Sequence, residues 1–423
     1  MSVIKVRGAV ARGVVRAPPS KSYTHRALLA GRLSQRTYRV VRPLDSDDTR
    51  ATAGALRALG STVRCTRGTW TVRPRHSASS YRTAVIDCRE SGTTLRFAAA
   101  LGALDDRRVL LEGSGRLLER PMATLLKALR ALGARCRAAS AHGPVEVHGP
   151  VHAGQVTLDA SESSQFASAL LLTLPTLPGD SVLELKGPIV SAPYLEATLA
   201  VLAFHGVRVA RRGRRYSIPG GQSYRASSFR VPGDASSAAY LWAAAAATGG
   251  TVRVTGVTEE WPQADLAFLR ILQKGGVQVR RSGEGAEVSG RVNRPFTVDL
   301  TDSPDLYPLV GVLASIVPGR SELTGAAHVA FKESDRRAGT ALLARSLGAR
   351  VHGSARGLVI EGTDSPRRFL LPTLSDHRSV MSAAVGALSA RGPSVVGDAR
   401  VVAKSFPDFW STLRGIIGGG PHG

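Results

Sequence analysis

The sequence has little cysteine, few aromatic residues and no long apolar run. Its three cysteines, Cys65, Cys88 and Cys136, are far apart and show no CxxC spacing, so they indicate neither a disulfide framework nor a zinc site. No apolar stretch reaches the roughly 18 residues that span a bilayer, and the opening IKVRGAV is typical of a strand, not of a signal segment. We therefore expect a cytoplasmic protein with no metal and no membrane partner.

Lysine is also scarce, although positive charge is not. Only seven of the 56 basic residues are lysines, and the formal net charge is +24. Such an excess favours anionic partners, although arginines spread over solvated faces account for most of it. Nucleic-acid binding is an alternative interpretation, but the chain has no basic cluster interleaved with the aromatic residues that stack on bases. We expect no nucleic-acid partner.

What the sequence does contain is an internal repeat. Its 423 residues are enough for two or more domains. Six helix-like segments end in a glycine that leads into a short strand, at spacings of 73, 73, 70, 72 and 70 residues. A glycine directly after a helix suits the left-handed conformation that ends it. These glycines are Gly60, Gly133, Gly206, Gly276, Gly348 and, less clearly, Gly418.

A second type of helix repeats with the same period. Each begins with Ser or Asp and is then apolar nearly all round, which indicates a buried helix. We therefore expect six α/β units, each with strands and an amphipathic helix around one central helix. The central segments are SKSYTHRALLAGRL, SGTTLRFAAALGAL, SSQFASALLLTL, DASSAAYLWAAAAA, SPDLYPLVGVLASI and DHRSVMSAAVGAL.

Side chains that suit anions lie in or beside all six central helix starts. Ser and Asp are good N-caps, and the N–H groups of a helix start attract anions. Three of the seven lysines, Lys21, Lys332 and Lys404, lie among these groups. The carboxylates Asp305 and Glu333 are what proton transfer to an anionic substrate requires. The second unit adds Gly92, Thr93 and Arg96, and its following loop adds Arg116 and Arg120.

Ten motifs, in this order, resemble the 5-enolpyruvylshikimate-3-phosphate synthase family over about residues 5–413. They are PPSKSYTHRALL, SGTTLRF, GRLLERPM, SSQFASALL, SAPYLE, GDASSAAYLWAAAA, SPDLYP, KESDR, SDHRSVMSAAV and AKSFPDFW. The resemblance implies the enolpyruvyl transferase fold, a two-domain inside-out α/β barrel of six βαβαββ repeats with the active site in the interdomain cleft. One domain would comprise residues 1–18 and 233–423, and the other residues 19–232.

The resemblance also implies an activity. That family transfers the enolpyruvyl group of phosphoenolpyruvate to the 5-hydroxyl of shikimate 3-phosphate through a tetrahedral intermediate and releases phosphate. Two small-molecule substrates, no cofactor and a monomeric enzyme are therefore expected. Carried onto matching positions, shikimate 3-phosphate would contact Lys21, Ser22, Arg26, Ser163, Ser164, Gln165, Ser191, Tyr194, Asp305 and Lys332. Phosphoenolpyruvate would contact Lys21, Gly92, Arg116, Gln165, Arg336, Arg378 and Lys404.

The catalytic groups implied by the resemblance are Lys21, Asp305 and Glu333. Asp305 and Lys21 would attend the reacting hydroxyl, and Glu333 would act first as acid and then as base. The individual proton transfers stay open, because these groups form a coupled cluster.

The sequence departs from the family's pattern at two positions, where Glu90 and His328 replace a usual Asn. The nearest alternative is UDP-N-acetylglucosamine enolpyruvyl transferase, whose typical Cys or Asp is absent from the loop SGRLLERP. RNA 3′-phosphate cyclases use related units, but these motifs do not imply the modified histidine that they need.

Overall fold

The computed structural model describes residues 3–74, 83–138, 143–325, 327–354 and 356–418. The chain forms two compact units. The inserted unit is Pro19–Pro232, and the terminal unit combines Met1–Pro18 with Gly233–Gly423.

The inserted unit contains three four-stranded sheets and six helices within its described residues. With its strands in spatial order, the first sheet comprises β14 (Ser228–Arg230), β3 (Tyr38–Val41), β5 (Thr69–Arg73) and β4 (Thr62–Thr66). The second comprises β6 (Thr83–Asp87), β7 (Arg108–Glu112), β9 (Val145–His148) and β8 (Arg135–Ala138). The third comprises β10 (Gln155–Asp159), β11 (Ser181–Lys186), β13 (Arg215–Ile218) and β12 (Ala210–Arg212). The helices are α1 (Lys21–Leu33), α2 (Asp47–Ala58), α3 (Gly92–Gly102), α4 (Ala123–Ala131), α5 (Ser164–Thr173) and α6 (Pro193–Phe204).

Within the residues that the structure describes, the terminal unit also contains three sheets and six α-helices, but one of its sheets has three strands instead of four. Its sheets are β16 (Gln278–Ser282), β17 (Gly285–Ser289), β15 (Thr251–Thr255), β2 (Arg12–Arg16); β18 (Thr297–Asp299), β19 (Gly319–Thr324), β21 (Gly357–Gly362), β20 (Arg350–Ser354); and β1 (Val3–Val6), β23 (Ser394–Asp398), β22 (Leu370–Leu371). The helices are α7 (Ala235–Thr248), α8 (Ala267–Lys274), α9 (Tyr307–Ser315), α10 (Arg336–Ser346), α11 (His377–Ser389) and α12 (Phe409–Ile417).

The βαβαββ order is clearest in the second sheet of the inserted unit. There β6 runs parallel to β7 with α3 between them in sequence, and α4 then leads into the antiparallel pair β8 and β9. Parallel neighbours need a crossover connection, which the helix provides. The three-stranded sheet differs because the chain reaches α12 after β23, and β1 supplies the antiparallel strand instead.

The six central helices are the apolar ones that the sequence indicates. In α7 every residue from Ser237 to Ala247 is buried, and in α11 so is every residue from His377 to Leu388. The outer helices are two-sided: α8 buries Phe268 and Leu272 while its Lys274 is exposed. Each unit therefore packs strands and amphipathic helices around buried central helices.

The repeat glycines end the outer helices in the expected left-handed conformation in five of the six repeats. Their φ angles are 95° at Gly60, 107° at Gly133, 72° at Gly206, 87° at Gly276 and 99° at Gly348. The expectation is wrong at Gly418, which has φ −94° and right-handed helical geometry.

Part of the positive charge lies in rows on exposed sheet faces. Across the sheet of β16, β17 and β15, Glu287 is paired with Arg280 on one side and Arg253 on the other. Glu361 of β21 is paired with Arg320 and Arg350 in the same way, and the Arg350 guanidinium lies 2.9 Å from its carboxylate. Opposite charges on neighbouring strands stabilise a sheet modestly. Cross-strand pairing with glutamate accounts for these arginines, so no anionic partner is needed to explain them.

No described helix is long and apolar enough to cross a membrane.

We predict opposite effects for two glycine-to-alanine changes inside helices. A Cβ at Gly311 of α9 would lie 2.1 Å from Thr340 Cγ2, and Thr340 is held by a 2.6 Å hydrogen bond to the Arg336 carbonyl. Gly311→Ala should therefore cost about 1–3 kcal/mol through overpacking. Gly54→Ala in α2, where nothing lies within 4 Å, should gain up to about 1 kcal/mol of helix propensity. Chemical denaturation of both variants checks this, and equal shifts in one direction would contradict it.

Candidate active site

A buried guanidinium in the terminal unit binds three carboxylates. Arg336 Nη1 lies 2.5 Å from Asp305 Oδ1, Nη2 lies 2.9 Å from Glu333 Oε2, and Nε lies 3.2 Å from Asp376 Oδ2. Burial works against the charge of Arg336, but the three carboxylates outweigh it and raise its pKa above the usual range. The ammonium of Lys404 is 3.9 Å from the other oxygen of Glu333.

Helix starts bring these side chains together. Asp376 caps α11 through its Oδ1, which accepts from the N–H groups of Arg378 and Ser379, and its Oδ2 is left for Arg336. Arg336 is itself the first residue of α10. Asp305 lies in a 3₁₀ turn, Pro304–Leu306, directly before α9, and Lys404 ends another, Ala399–Lys404. The positive ends of three helices and three cations therefore surround a group of carboxylates.

Arg378 is the second buried guanidinium of this cluster. Its Nη2 donates to Asp305 Oδ2 at 2.8 Å, whereas its Nε and Nη1 have no hydrogen-bond partner among the described residues. Burial opposes its charge, but Asp305 and further anionic neighbours raise the pKa of Arg378 well above its usual range. A cation with unsatisfied donors suits an anionic ligand.

His328, where the resemblance implies an Asn, lies beside the same cluster. It is 7% exposed, and its Nε2 has no hydrogen-bond partner in the described part of the chain. Burial, with a smaller contribution from the charge of Lys332, lowers the pKa of His328 to about 4. The imidazole is therefore neutral at physiological pH, and it can donate or accept a hydrogen bond as an amide can.

In the inserted unit a second cluster forms where α1, α2 and α3 begin. Lys21 Nζ lies 2.9 Å from Asp48 Oδ2, and the Asp48 carbonyl accepts from Thr94 Oγ1 at 3.3 Å. Thr94 Oγ1 is also 2.7 Å from Thr52 Oγ1, which is 2.7 Å from His25 Nδ1. Burial lowers the pKa of His25 to about 3, so the hydrogen-bonded groups from Thr94 through Thr52 to His25 are neutral. This chain of hydrogen bonds fixes the three helix starts relative to one another.

The start of α5 joins this cluster through Gln165. Arg96 Nη1 donates to Gln165 Oε1 at 2.7 Å, and Gln165 Nε2 donates to Thr93 Oγ1 at 3.1 Å. A Cβ at Gly92 would lie 2.7 Å from Arg120 Nη1 and 2.8 Å from Arg96 Nη1. Only glycine lets both guanidiniums approach the backbone there.

Of the two arginines in the loop after β7, Arg120 is the one that the structure brings to this cluster. Arg120 is 8% exposed and lies against Gly92. The side chain of Arg116 is 47% exposed, and its Nε donates to Glu119 at 3.1 Å. Glu90, where the resemblance also implies an Asn, has its carboxylate beside Gly115 in this loop. The structure thus favours Arg120 over Arg116 as an anion-binding group.

Arg26, one of the residues predicted to bind shikimate 3-phosphate, uses its N–H donors in hydrogen bonds to protein groups. Arg26 is buried and donates to Thr198 Oγ1 at 2.9 Å, to the Ser22 carbonyl at 3.0 Å and to the Tyr194 carbonyl at 2.9 Å. Burial lowers the pKa of Arg26 to about 10. These contacts hold α1 against α6. Ser163 caps α5, Ser164 is its first residue, and Ser191 has a positive φ of 57° just before α6.

The structure therefore brings Asp305, Glu333, Arg336, Arg378 and Lys404 together in one unit, and Gly92 and Gln165 together in the other, with Lys21 linked to them through α2. The residues predicted to bind substrate or to take part in catalysis do not include Asp48, Arg96, Arg120 and Asp376. Arg96 and Arg120 belong to the quoted motifs SGTTLRF and GRLLERPM, and Asp376 is recognisable as an N-cap. Asp48 carries no sequence signal of its own, because it is one of two acids in a helix's first turn.

A model of one protein family matches residues 7–413 of the chain, and its description is EPSP synthase (3-phosphoshikimate 1-carboxyvinyltransferase). The chain belongs to the EPSP synthase family. Curated relatives named 3-phosphoshikimate 1-carboxyvinyltransferase include one from Thermococcus kodakarensis, 40% identical over 407 residues, which cover 96% of this chain and 98% of the relative. Another, from Methanocorpusculum labreanum, is 37% identical over 415 residues and 98% of both chains.

The solved structure of EPSP synthase from Acinetobacter baumannii has the same fold, with a TM-score of 0.79, 24% identity and 98% coverage of both chains. The predicted enolpyruvyl transferase fold is confirmed, as is the predicted membership of the EPSP synthase family.

We predict that two N-cap aspartates differ in their contribution to stability. Asp335 caps α10 from an exposed position, so Asp335→Ala should cost about 1 kcal/mol. Asp376 caps α11 and also pairs with buried Arg336, so Asp376→Ala should cost roughly 3 kcal/mol, the low end for a broken buried pair because two carboxylates remain. Urea denaturation measures both, and comparable losses would contradict a structural role for the Asp376–Arg336 pair.

Proposed function

We propose that the chain transfers the enolpyruvyl group of phosphoenolpyruvate to the 5-hydroxyl of shikimate 3-phosphate and releases inorganic phosphate, a step of the shikimate pathway toward chorismate and the aromatic amino acids. The observation that carries the proposal is the cluster in which Asp305 and Glu333 share Arg336, with Arg378 and Lys404 beside them. It offers proton-transferring carboxylates among cations that suit phosphate and carboxylate groups.

The reaction requires proton transfers in two stages. In the addition stage the 5-hydroxyl loses its proton while its oxygen bonds to C2 of phosphoenolpyruvate, and C3 gains a proton to become a methyl group. In the elimination stage that methyl group loses a proton, the C2–O bond to phosphate breaks, and the enol ether forms. The departing phosphate oxygen takes up a proton, so protons balance over the two stages, and the chemistry calls for acids, bases and fixed positive charge.

We assign these roles to residues of both clusters. Asp305 and Lys21 interact with the 5-hydroxyl as it loses its proton. Glu333 donates a proton to C3 and later removes one from it. The contact of Lys21 with Asp48 and those of Glu333 with Arg336 and Lys404 support the assignment, because each reacting group is held by an opposite charge. The pairs are coupled, so the protonation steps belong to the cluster as a whole.

The substrate-binding sets follow the same logic. For shikimate 3-phosphate we propose Lys21, Ser22, Arg26, Ser163, Ser164, Gln165, Ser191, Tyr194, Asp305 and Lys332, with Arg26 acting by holding Ser22 and Tyr194 in place. For phosphoenolpyruvate we propose Lys21, Gly92, Arg116, Gln165, Arg336, Arg378 and Lys404, and we add Arg120. We further propose that the enzyme is a cytoplasmic monomer, which light scattering of the purified protein tests.

Phosphate release is the direct test of the reaction. Purified protein receives phosphoenolpyruvate with either shikimate 3-phosphate or UDP-N-acetylglucosamine. We expect release only with shikimate 3-phosphate, and a loss of at least roughly 100-fold in Lys21→Ala and Glu333→Gln. The exposed positions Lys127→Ala and Glu112→Gln are matched controls that should retain activity. Release only with the nucleotide sugar would assign the alternative substrate, and release with neither would refute the proposal.

The two loop arginines give a sharper test of the phosphoenolpyruvate site. Arg120→Ala should raise the KM for phosphoenolpyruvate by roughly 10- to 100-fold, the worth of a hydrogen bond to a charged group, and leave binary shikimate 3-phosphate binding nearly unchanged. Arg116→Ala, at an exposed position, should have a smaller effect. Steady-state kinetics and calorimetric binding measure the two quantities, and a larger KM effect for Arg116→Ala would reverse this assignment.

A further inference from the structure

A histidine in α1 and a threonine in α2 form a buried contact that the proposed reaction does not use. His25 Nδ1 lies 2.7 Å from Thr52 Oγ1, and the two residues are 0% and 2% exposed. The other ring nitrogen, His25 Nε2, is also buried and has no hydrogen-bond partner among the described residues. Buried polar atoms are usually satisfied, so a histidine at this position calls for a physical explanation.

This contact lies one helical turn from the ion pair of Lys21 and Asp48. Lys21 and His25 are four residues apart on α1, and Asp48 and Thr52 are four residues apart on α2, so each pair lies on one face of its helix. The Lys21 ammonium is 2.9 Å from Asp48 Oδ2. The ion pair and the His25–Thr52 contact are therefore successive links between the same two helices. A movement of α1 against α2 that breaks one link displaces the other.

The hydrogen bonds beyond Thr52 show the direction of this link. Thr94 Oγ1 donates to the Asp48 carbonyl at 3.3 Å or to Ser91 Oγ at 2.8 Å. A hydroxyl has a single hydrogen, so the Thr94 hydrogen is directed to one of these two acceptors. In the 2.7 Å contact between Thr52 Oγ1 and Thr94 Oγ1, Thr52 is therefore the donor.

His25 is then the donor to Thr52. Because the Thr52 hydrogen points to Thr94, the 2.7 Å contact with His25 needs a hydrogen on Nδ1. Burial lowers the pKa of His25 to about 3, so the imidazole is neutral and carries one N–H, which leaves only a lone pair on Nε2. The other tautomer would bury an N–H with no acceptor among the described residues, and such orphaned N–H groups are rarer than unsatisfied acceptors.

We propose that His25, as the Nδ1–H tautomer, is a positioning residue for Lys21: its hydrogen bond to Thr52 holds α1 against α2 in the register at which the Lys21 ammonium meets Asp48. This inference rests on the function proposed above, in which Lys21 contacts both substrates. His25 itself touches no substrate and transfers no proton in the reaction. A donor is required at Nδ1, because an acceptor there would draw the Thr52 hydrogen away from Thr94.

Calorimetric binding of shikimate 3-phosphate tests whether His25 acts through Lys21. His25→Leu, which removes the donor, should weaken binding roughly tenfold, a coupling within the usual range for residues of one hydrogen-bonded network. In the Lys21→Ala background the same change should have almost no further effect, because the group that His25 positions is absent. Equal losses in both backgrounds would show that His25 does not act through Lys21 and would overturn the inference.

Conservative variants test the hydrogen bond itself. His25→Asn offers an amide N–H to Thr52 and should recover most of the binding that His25→Leu loses. Thr52→Ser keeps the hydroxyl and should bind shikimate 3-phosphate nearly as the wild type does, whereas Thr52→Val should resemble His25→Leu. No recovery in His25→Asn and Thr52→Ser would contradict a role for the hydrogen bond.

His205→Leu is the matched control for a loss of stability. His205 is a second buried histidine of the inserted unit, 0% exposed, with its Nδ1 2.7 Å from the Val201 carbonyl and its Nε2 2.7 Å from the Tyr38 hydroxyl. His205→Leu should lower the melting temperature at least as much as His25→Leu and leave shikimate 3-phosphate binding nearly unchanged. Equal weakening of binding by the two variants would assign the effect to stability and count against the inference.

A spectroscopic readout tests the tautomer without substrate. In protein labelled with ¹⁵N-histidine, the ring nitrogen that carries the hydrogen differs in chemical shift from the nitrogen that does not. His205 supplies an internal reference, because its Nδ1 must carry a hydrogen to donate to the Val201 carbonyl. We expect His25 to give the same Nδ1–H pattern, in signals assigned by their absence from His25→Asn. An Nε2–H pattern at His25 would overturn the inference.

The outcomes also separate this inference from the proposed function. If Lys21→Ala binds shikimate 3-phosphate as the wild type does, Lys21 is not part of the site, and the proposed assignment and the inference are both refuted. If Lys21→Ala loses binding and His25→Leu does not, only the role of His25 is refuted.

Discussion

The guanidinium of Arg336 is the interaction on which the terminal unit's site depends. It is nearly inaccessible to solvent and touches one carboxylate from the turn before α9, one from the segment before α10 and one from the cap of α11. Removing so many charges from water is costly unless each is paired. The three helix starts must therefore lie where the guanidinium can reach all of them, and the same requirement holds Asp305 and Glu333 on one guanidinium.

In the inserted unit, the helix starts are held together mainly by neutral groups. Thr52, Thr94, Gln165 and a histidine that burial keeps uncharged connect its helix starts. Charged side chains beside them include the Lys21–Asp48 pair and Arg96 and Arg120 near Gly92. Neutral hydrogen bonds carry a smaller desolvation cost than buried ions. This unit thus joins its helix starts largely through neutral groups, whereas the terminal unit joins them through buried charges of both signs.

Periodicity and composition predict a large part of this architecture. The buried central helices, the helix-ending glycines and the α/β class follow from patterns that depend on local physics, and for that reason they could be predicted from one sequence. Gly418 escapes the pattern because a local rule cannot show that the last sheet takes its antiparallel strand from β1. Arg116 and Arg120 lie in the same loop, and the sequence does not indicate which of them is buried. Only the fold of the loop shows that it is Arg120. Asp48 has no local signature, because its role arises from a partner, Lys21, that lies 27 residues away in sequence.

The β1–β23 pairing has a consequence for how the protein is made. The inserted unit is continuous in sequence, so all of its strands and helices are available once residue 232 has left the ribosome. The terminal unit pairs β2 with β15 and β1 with β23, which joins residues from the two ends of the chain. Contacts of such sequence separation close late and at a high entropic cost. Vectorial synthesis therefore completes the inserted unit first, and the terminal unit can be assembled only after β23 has been synthesised.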